Sequence, residues 1–208
     1  LHFEPDDMLL LIDVQPTFMP GGALPVPDGS AVVPVINALL AQPGARAVAT
    51  QDWHPPCHSS FASAHAGRQP YDVIEMPYGP QTLWPDHGLQ GSAEADLHPG
   101  LDTRRVEMIL RKGFRPAIDS YSAFFENDRK TSTGLEAWLR AQGVRRVVLA
   151  GLATDFCVAW SAEDAAKLGF AVVVVESACR GIDLPDGAGG TIATARARLV
   201  ARGVCFIP

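Results

Sequence analysis

Four side chains that could do chemistry stand where apolar runs stop. Asp13 closes the run Met8 to Val14, Asp52 follows Ala45 to Thr50, Lys112 follows Val106 to Arg111, and Cys157 follows Val147 to Ala150. Each run is too short for a helix and reads as a buried strand. In parallel sheets, ligands bind at the carboxyl ends of the strands, which is where all four residues fall. A carboxylate that can take a thiol proton, a cation to hold it and a cysteine make an activated nucleophile. Gly151 breaks the strand before Cys157, and Thr154 or Asp155 can cap the helix that follows, which Gly169 stops. Cys157 then lies in a first helical turn, where free amides and the positive dipole end should ease its ionisation. Each residue also has a plainer reading. Asp13 could cap a turn, Lys112 could be a solvated strand end, and Cys157 could be a small buried hydrophobe. Four such coincidences at one end of one sheet favour the chemical reading.

A second cluster is Asp52-Trp53-His54. Residues two apart on an extended segment point the same way, so a carboxylate and an imidazole converge as half of a divalent-metal site. His58 is four residues further on, but Pro55 and Pro56 forbid the helix that would pair it with His54. His87, in WPDHG, is the best third ligand because it shares the same irregular stretch. His2, His65 and His98 read as ordinary loop polarity, and Cys57 is a weak ligand candidate.

The elements that position these groups can be read in order. After the first strand, residues 18–30 hold too many Gly and Pro for regular structure. Ser30 is placed to cap a helix with Val33, Ile36, Leu39 and Leu40 on its apolar face, stopped by Pro43 and Gly44. Residues 51–100 have little periodicity, and a loop that long is expected to build a site or a small subdomain. Thr133-Gly-Leu-Glu136 reads as a capping box for a helix with Leu135, Trp138 and Leu139 inward. Val172 to Val175 fits a strand covered on both faces. Residues 191–202 give a helix with Ile192, Ala195 and Leu199 on one side, before a last strand Val204–Ile207. Gly187 to Gly190 lack the Lys and spacing of a phosphate loop and read as a linker. Strand and helix alternate, so the fold class is α/β: a three-layer parallel sheet with helices on both faces, Rossmann-like. The expectation is one domain over 1–208 with an irregular metal-binding insertion at about 51–100.

Composition narrows the partners. Apolar residues make up 47% of the 208, enough for a real core, and the net charge of −6 argues against nucleic-acid or anionic-membrane surfaces. MLLLIDV is too short for a secretory signal, and no apolar run has transmembrane length. The chain opens on Leu1 rather than methionine, as a trimmed start would. Four cysteines without metal-type spacing suggest reduced thiols in the cytoplasm.

Five blocks, in order, carry a resemblance: LLLIDVQPTFMPGGALPVPDG, QDWHPPCHSSFAS, LWPDHGLQGS, LRKGFRPAIDSYSAF and GLATDFCVAWSAEDAAKLGF. With them the chain resembles the nicotinamidase/pyrazinamidase group of the isochorismatase-like cysteine hydrolases over nearly its whole length. The resemblance implies a triad of Asp13, Lys112 and Cys157. It implies one divalent metal, zinc in the first place and otherwise iron or manganese, on Asp52, His54 and His87. Ser60 often approaches that metal in the family, directly or through water, and His58 matches a position that ligates in some members and not in others. A cis peptide before Ala153 is implied too, aiming the amides of Ala153 and Cys157 at the substrate oxygen. Phe18, Leu24, Trp84 and Tyr121 match pocket walls. The implied activity converts nicotinamide to nicotinate and ammonia through a nicotinoyl thioester on Cys157, in NAD salvage, with pyrazinamide as a further substrate. Two other readings use the same fold: an N-carbamoyl or ureidoacrylate hydrolase, against which the metal motif argues, and a catalytically silent binding protein, against which the intact Asp, Lys and Cys argue.

Overall fold

The computed structural model describes residues 1–208. Strand β1, Asp7–Ile12, is followed by helix α1, Val32–Leu40, and strand β2, Ala47–Asp52. A short antiparallel hairpin, β3 (Val73–Met76) and β4 (Gly79–Thr82), stands alone within the long irregular stretch. Then come β5 (Val106–Lys112), α2 (Leu135–Ala141), β6 (Arg146–Leu152), α3 (Ala159–Lys167), β7 (Ala171–Arg180), α4 (Thr191–Val200) and β8 (Cys205–Ile207). Six strands form one sheet in the order β5-β2-β1-β6-β7-β8, with every pairing parallel.

The sequence dictates this layering. Every residue of β1 and β2 is buried, and so is all of β6 after Arg146. A strand without an exposed face must be covered on both sides, which is why these runs are continuously apolar rather than alternating. The β1-α1-β2 connection steps toward one edge, while β6-α3-β7-α4-β8 steps toward the other. Right-handed crossovers therefore put α1 on one face and α3 with α4 on the opposite face. The strand order reverses between β1 and β6, so a crevice opens there at the carboxyl ends. At that point Gly151, at φ +125°, pairs with Ile12, and a Cβ on it would sit 2.0 Å from the Ile12 carbonyl oxygen. Only glycine lets β6 approach β1 this closely, one residue before Asp13. At the other end of this pair, the Asp7 carboxylate takes the Arg146 guanidinium, 139 residues along the chain, with Nε donating at 2.7 Å.

The helix starts differ from the sequence expectation. Ser30 lies in a 3-10 turn, Gly29–Ala31, that runs straight into α1, and no side chain caps it. No extended residue precedes the helix, so there is no cap position for Ser30 to fill. The capping box at Thr133 and Glu136 does not form either. Gly134 turns with φ +90°, Thr133 Oγ1 donates to the Ala123 carbonyl at 2.6 Å, and Glu136 pairs with Arg140. Leu135 and Leu139 are buried as expected, whereas Trp138 and Ile192 are half-buried. Strand β7 runs ten residues rather than the four valines alone.

Candidate active site

At the crevice the chain gathers its buried charges. Asp13 follows β1 at φ +48°, Asp52 ends β2, Lys112 ends β5, and Cys157 lies in the turn after β6. Lys112 is the hub, with its side chain fully buried. Its Nζ is 2.8 Å from Asp13 Oδ2, 2.5 Å from Asp52 Oδ1, 2.9 Å from the Ser120 carbonyl and 3.4 Å from Cys157 Sγ. Asp13, Asp52 and Cys157 offer atoms within 4.8 Å of one another. Thr50 fixes the carboxylate: its hydroxyl donates to Asp13 Oδ1 at 2.5 Å and accepts the Asp13 amide at 3.0 Å. The other oxygen, Oδ2, is buried without a hydrogen-bond partner, because Lys112 lies close to it but off the hydrogen-bonding direction. One lone pair is thus left to accept a proton.

Burial sets the protonation states. Burial disfavours the charged Lys112, yet Asp13 and Asp52 outweigh it and hold the ammonium well above its usual range. Burial raises Asp13, with Asp52 adding to the rise and Lys112 opposing it. Asp52 also loses solvation, but Lys112 and the neighbouring imidazoles keep it well below the ordinary carboxylate range. Burial pushes the Cys157 thiol well up, against the pull of Lys112, with Asp13 adding to the rise. The sequence expectation of an easily ionised thiol is therefore overturned: the first turn is there, but the loss of water outweighs it. That turn is also π-helical, Thr154–Val158, rather than α-helical. Neither Thr154 nor Asp155 caps it. The Asp155 carboxylate instead accepts the amides of Ile182 and Asp183 at 3.0 and 2.8 Å and the Thr191 hydroxyl at 2.5 Å.

Beside Lys112 lies a metal-type donor set. His54 Nε2 and His87 Nε2 stand 3.7 and 3.6 Å from Asp52 Oδ2. Bonds of about 2.1 Å to a divalent ion put neighbouring ligand atoms roughly 3 to 3.5 Å apart, so the three atoms need only a slight contraction. Nδ1 of His54 is 2.8 Å from the Gly113 carbonyl and Nδ1 of His87 is 2.8 Å from the Pro85 carbonyl. Each Nδ1 must be the protonated nitrogen, which leaves both Nε2 lone pairs facing the carboxylate, the usual arrangement around a metal. Gly113, at φ +67°, makes room for the His54 ring, since a Cβ there would meet its Cε1 at 2.4 Å. His58 is differently employed. Its Nδ1 accepts from Ser60 (amide 3.2 Å, hydroxyl 2.8 Å), and its Nε2 donates to the carbonyls of Arg115 and Ile118. In this arrangement His58 is engaged by Ser60 and two carbonyls, while His54, His58 and Asp119 also offer donor atoms within 4.8 Å of one another.

A narrow cavity opens over these groups. Phe18, Leu24, Trp84, Tyr121, Ala153 and Cys157 are among the residues that line it. The Leu152–Ala153 peptide is cis. Trp84 Nε1 donates to the Tyr121 hydroxyl at 3.0 Å, which fixes both rings. Three lining residues escaped the sequence reading: Asp119, Phe156 and Ile182. Phe156 packs edge-on against Trp84 with centroids 4.8 Å apart, and its place beside Cys157 was a usable signal. Asp119 is buried, takes the Gln81 amide at 3.0 Å, and lies 4.0 Å from His54 Nε2. Its position two residues before Tyr121 hinted at a shared wall.

A doubly covered parallel sheet with an Asp, Lys and Cys cluster at its carboxyl ends defines an isochorismatase-type hydrolase fold. The isochorismatase domain family matches residues 7–200, and the chain belongs to that family. It is 49% identical over 196 residues to the nicotinamidase of Acinetobacter baylyi, covering 94% of this chain and 89% of that protein. Among solved structures it resembles a nicotinamidase/pyrazinamidase of Acinetobacter baumanii, at TM-score 0.93 and 46% identity, over 98% of this chain and 96% of that one. It also resembles the pyrazinamidase of Pyrococcus horikoshii in complex with zinc, at TM-score 0.77 and 32% identity, over 98% and 99% of the two chains.

Proposed function

We propose that this chain hydrolyses nicotinamide to nicotinate and ammonia, with pyrazinamide as a second substrate, through a thioester on Cys157. The observation that carries the reading is the bridge at Lys112, which ties the Asp13–Cys157 pair to the metal-type donor Asp52 inside one buried cluster beneath an aromatic cavity. The similarity to nicotinamidases supports the choice of amide.

In this mechanism the thiol is neutral at rest. As the Cys157 sulfur bonds to the carboxamide carbon, its proton passes to the open lone pair of Asp13 Oδ2. The carbonyl electrons move to oxygen, which the amides of Ala153 and Cys157 stabilise. Asp13 returns the proton to nitrogen, the C–N bond breaks, and ammonia leaves. Asp13 then takes a proton from water, which adds to the thioester. The C–S bond breaks and the sulfur regains its proton. Lys112 keeps a positive charge beside both carboxylates throughout, so Asp13 can alternate between its two states without leaving a buried charge unpaired.

Asp52, His54 and His87 fit a divalent ion, and a two-nitrogen, one-oxygen set suits zinc, with iron or manganese accepted by the same donors. Such an ion supplies a Lewis-acidic anchor for a pyridine nitrogen. Phe18, Leu24, Trp84 and Tyr121 would hold the ring between apolar walls. No helix is long and apolar enough to cross a membrane, and four unpaired cysteines suit a cytoplasmic setting. Ammonia and nicotinate should appear in equal amounts when purified, metal-loaded protein is given nicotinamide. Absence of turnover, or turnover retained by Cys157→Ala, would refute the reading.

A further inference from the structure

Between β7 and α4 the chain runs as an irregular strap, residues 181–190, and a single side chain from it lines the cavity: Ile182. Ile182 is half-buried and adds to the cavity's mostly apolar lining, but no helix or strand holds it in place. What holds it there is Asp155, two residues before Cys157 and itself buried. Both Asp155 oxygens are spent on the strap, on the amides of Ile182 and Asp183 and on the hydroxyl of Thr191. The fit is tight, since a Cβ on Gly181 would meet Asp155 Oδ1 at 2.9 Å. The far end of the strap is closed by its own bonds. Thr191 Oγ1 accepts the Leu184 amide at 2.8 Å, and Asp186 takes the amides of Ala188 and Gly190 at 2.8 and 2.9 Å. The wall carrying Ile182 and the turn carrying the nucleophile are therefore one fastened unit. A ring substituent pressing on Ile182 has to break bonds at Asp155, whereas it could displace a free loop at little cost.

We propose that Ile182 is a specificity-determining residue that excludes ring-substituted heteroaromatic carboxamides, and that Asp155 is the positioning residue that gives this wall its stiffness. The proposal rests on the amidase reading above for its substrate class. It makes the chain a selector for bare six-membered rings, acting at the ring edge rather than at the carboxamide.

The test compares nicotinamide with its 5-methyl and 6-methyl derivatives, by kcat/KM for ammonia release, in the native protein and in Ile182→Ala and Asp155→Asn. The native protein should reject at least one methylated amide by roughly tenfold to a hundredfold, the range one methylene controls in an apolar pocket. Ile182→Ala should recover most of that factor for the same derivative while nicotinamide itself falls. Asp155→Asn, folded by circular dichroism, should shift the same ratio in the same direction with the methyl effect in KM, a change that general destabilisation does not produce. A native protein that accepts both derivatives within threefold of nicotinamide, or an Ile182→Ala ratio equal to the native one, overturns the proposal. If Asp155→Asn fails to fold, Ile182→Ala decides alone. If the native protein turns over no nicotinamide, the amidase reading has failed separately. The same comparison is then read as dissociation constants of nicotinate and its methyl derivatives, with the same two outcomes.

Discussion

Thr50 offers the most direct check on how Asp13 is held. Its hydroxyl is fully buried and makes two bonds to the same residue, accepting the Asp13 amide at 3.0 Å and donating to Oδ1 at 2.5 Å. Thr50→Val keeps the branched shape and deletes both. Losing a hydrogen bond to a charged group costs about 1.5–3 kcal/mol, and stranding a buried amide costs about 1–3 kcal/mol more. Taking about 3 kcal/mol overall, the melting temperature should fall by roughly 6–12 °C for a chain of this length. Thr50→Ser keeps the hydroxyl and loses one methyl, at about 1 kcal/mol. The two variants should therefore differ by about 2 kcal/mol, Thr50→Val losing the bonds and Thr50→Ser only the methyl. Chemical denaturation of both variants reads this difference. Activity gives a second reading with a definite sign. Burial already raises the Asp13 carboxyl, and the Thr50 bond opposes that rise by favouring the charged form. Removing the bond raises Asp13 further, so at any acid pH a smaller fraction is the working base. The acid limb of kcat/KM should move to higher pH in Thr50→Val and stay near native in Thr50→Ser. Equal stabilities within about 0.5 kcal/mol, together with superimposable pH profiles, would mean the hydroxyl does not hold Asp13.

Lys112→Met strands two buried carboxylates and should cost about 3–5 kcal/mol at neutral pH by urea denaturation. In the native protein Asp52 is depressed, so the stability it contributes is present above the ordinary carboxylate range and is lost as pH falls through its lowered value. The Lys112→Met deficit should accordingly shrink toward acid pH as the carboxylates protonate, and a deficit unchanged from pH 7 to 4 would contradict the charge accounting. Gly151→Ala should fail to accumulate as folded protein, since its Cβ would lie 2.0 Å from the Ile12 carbonyl oxygen; soluble expression with native circular dichroism would say that the two strands can part. Metal-loaded protein should prefer nicotinamide to benzamide by roughly a hundredfold, the two differing only in a ring nitrogen. Chelation or His54→Ala should collapse that preference, and equal loss of both activities would deny the ring nitrogen its anchor.

Much of this molecule was legible before its structure because parallel strands are buried on both faces and leave unbroken apolar runs. Val172 to Val175 and Met8 to Ile12 announce themselves that way. The polar residue that ends each run is then forced to one end of the sheet, which is how Asp13, Asp52, Lys112 and Cys157 could be grouped without coordinates. The caps at Ser30, Thr133 and Thr154 were misread because a side-chain oxygen near a helix start has competing partners. Thr133 chose the Ala123 carbonyl, and Asp155 chose the strap. The hairpin β3–β4 left no trace, since its strands are half exposed and interrupted by Gly79 and Pro80. The state of the Cys157 thiol was not readable at all. Its helix position is local, but its loss of water is made by walls contributed from Phe18 to Ile182.

The placement of β1 has a consequence for synthesis. It lies inside the sheet, and its partner β6 begins 139 residues later at the Asp7–Arg146 contact. At about 5–20 residues per second, a ribosome needs roughly 7–28 s to deliver that partner. Throughout that interval DMLLLI has only β2 beside it and one unpaired edge made entirely of residues destined for the interior. The nascent chain must therefore be shielded, or its early segments must stick to one another reversibly, until β6 emerges. Production at low temperature with slowed translation should prolong that window, and supplying a holdase chaperone should raise soluble yield more than any substitution on the finished surface.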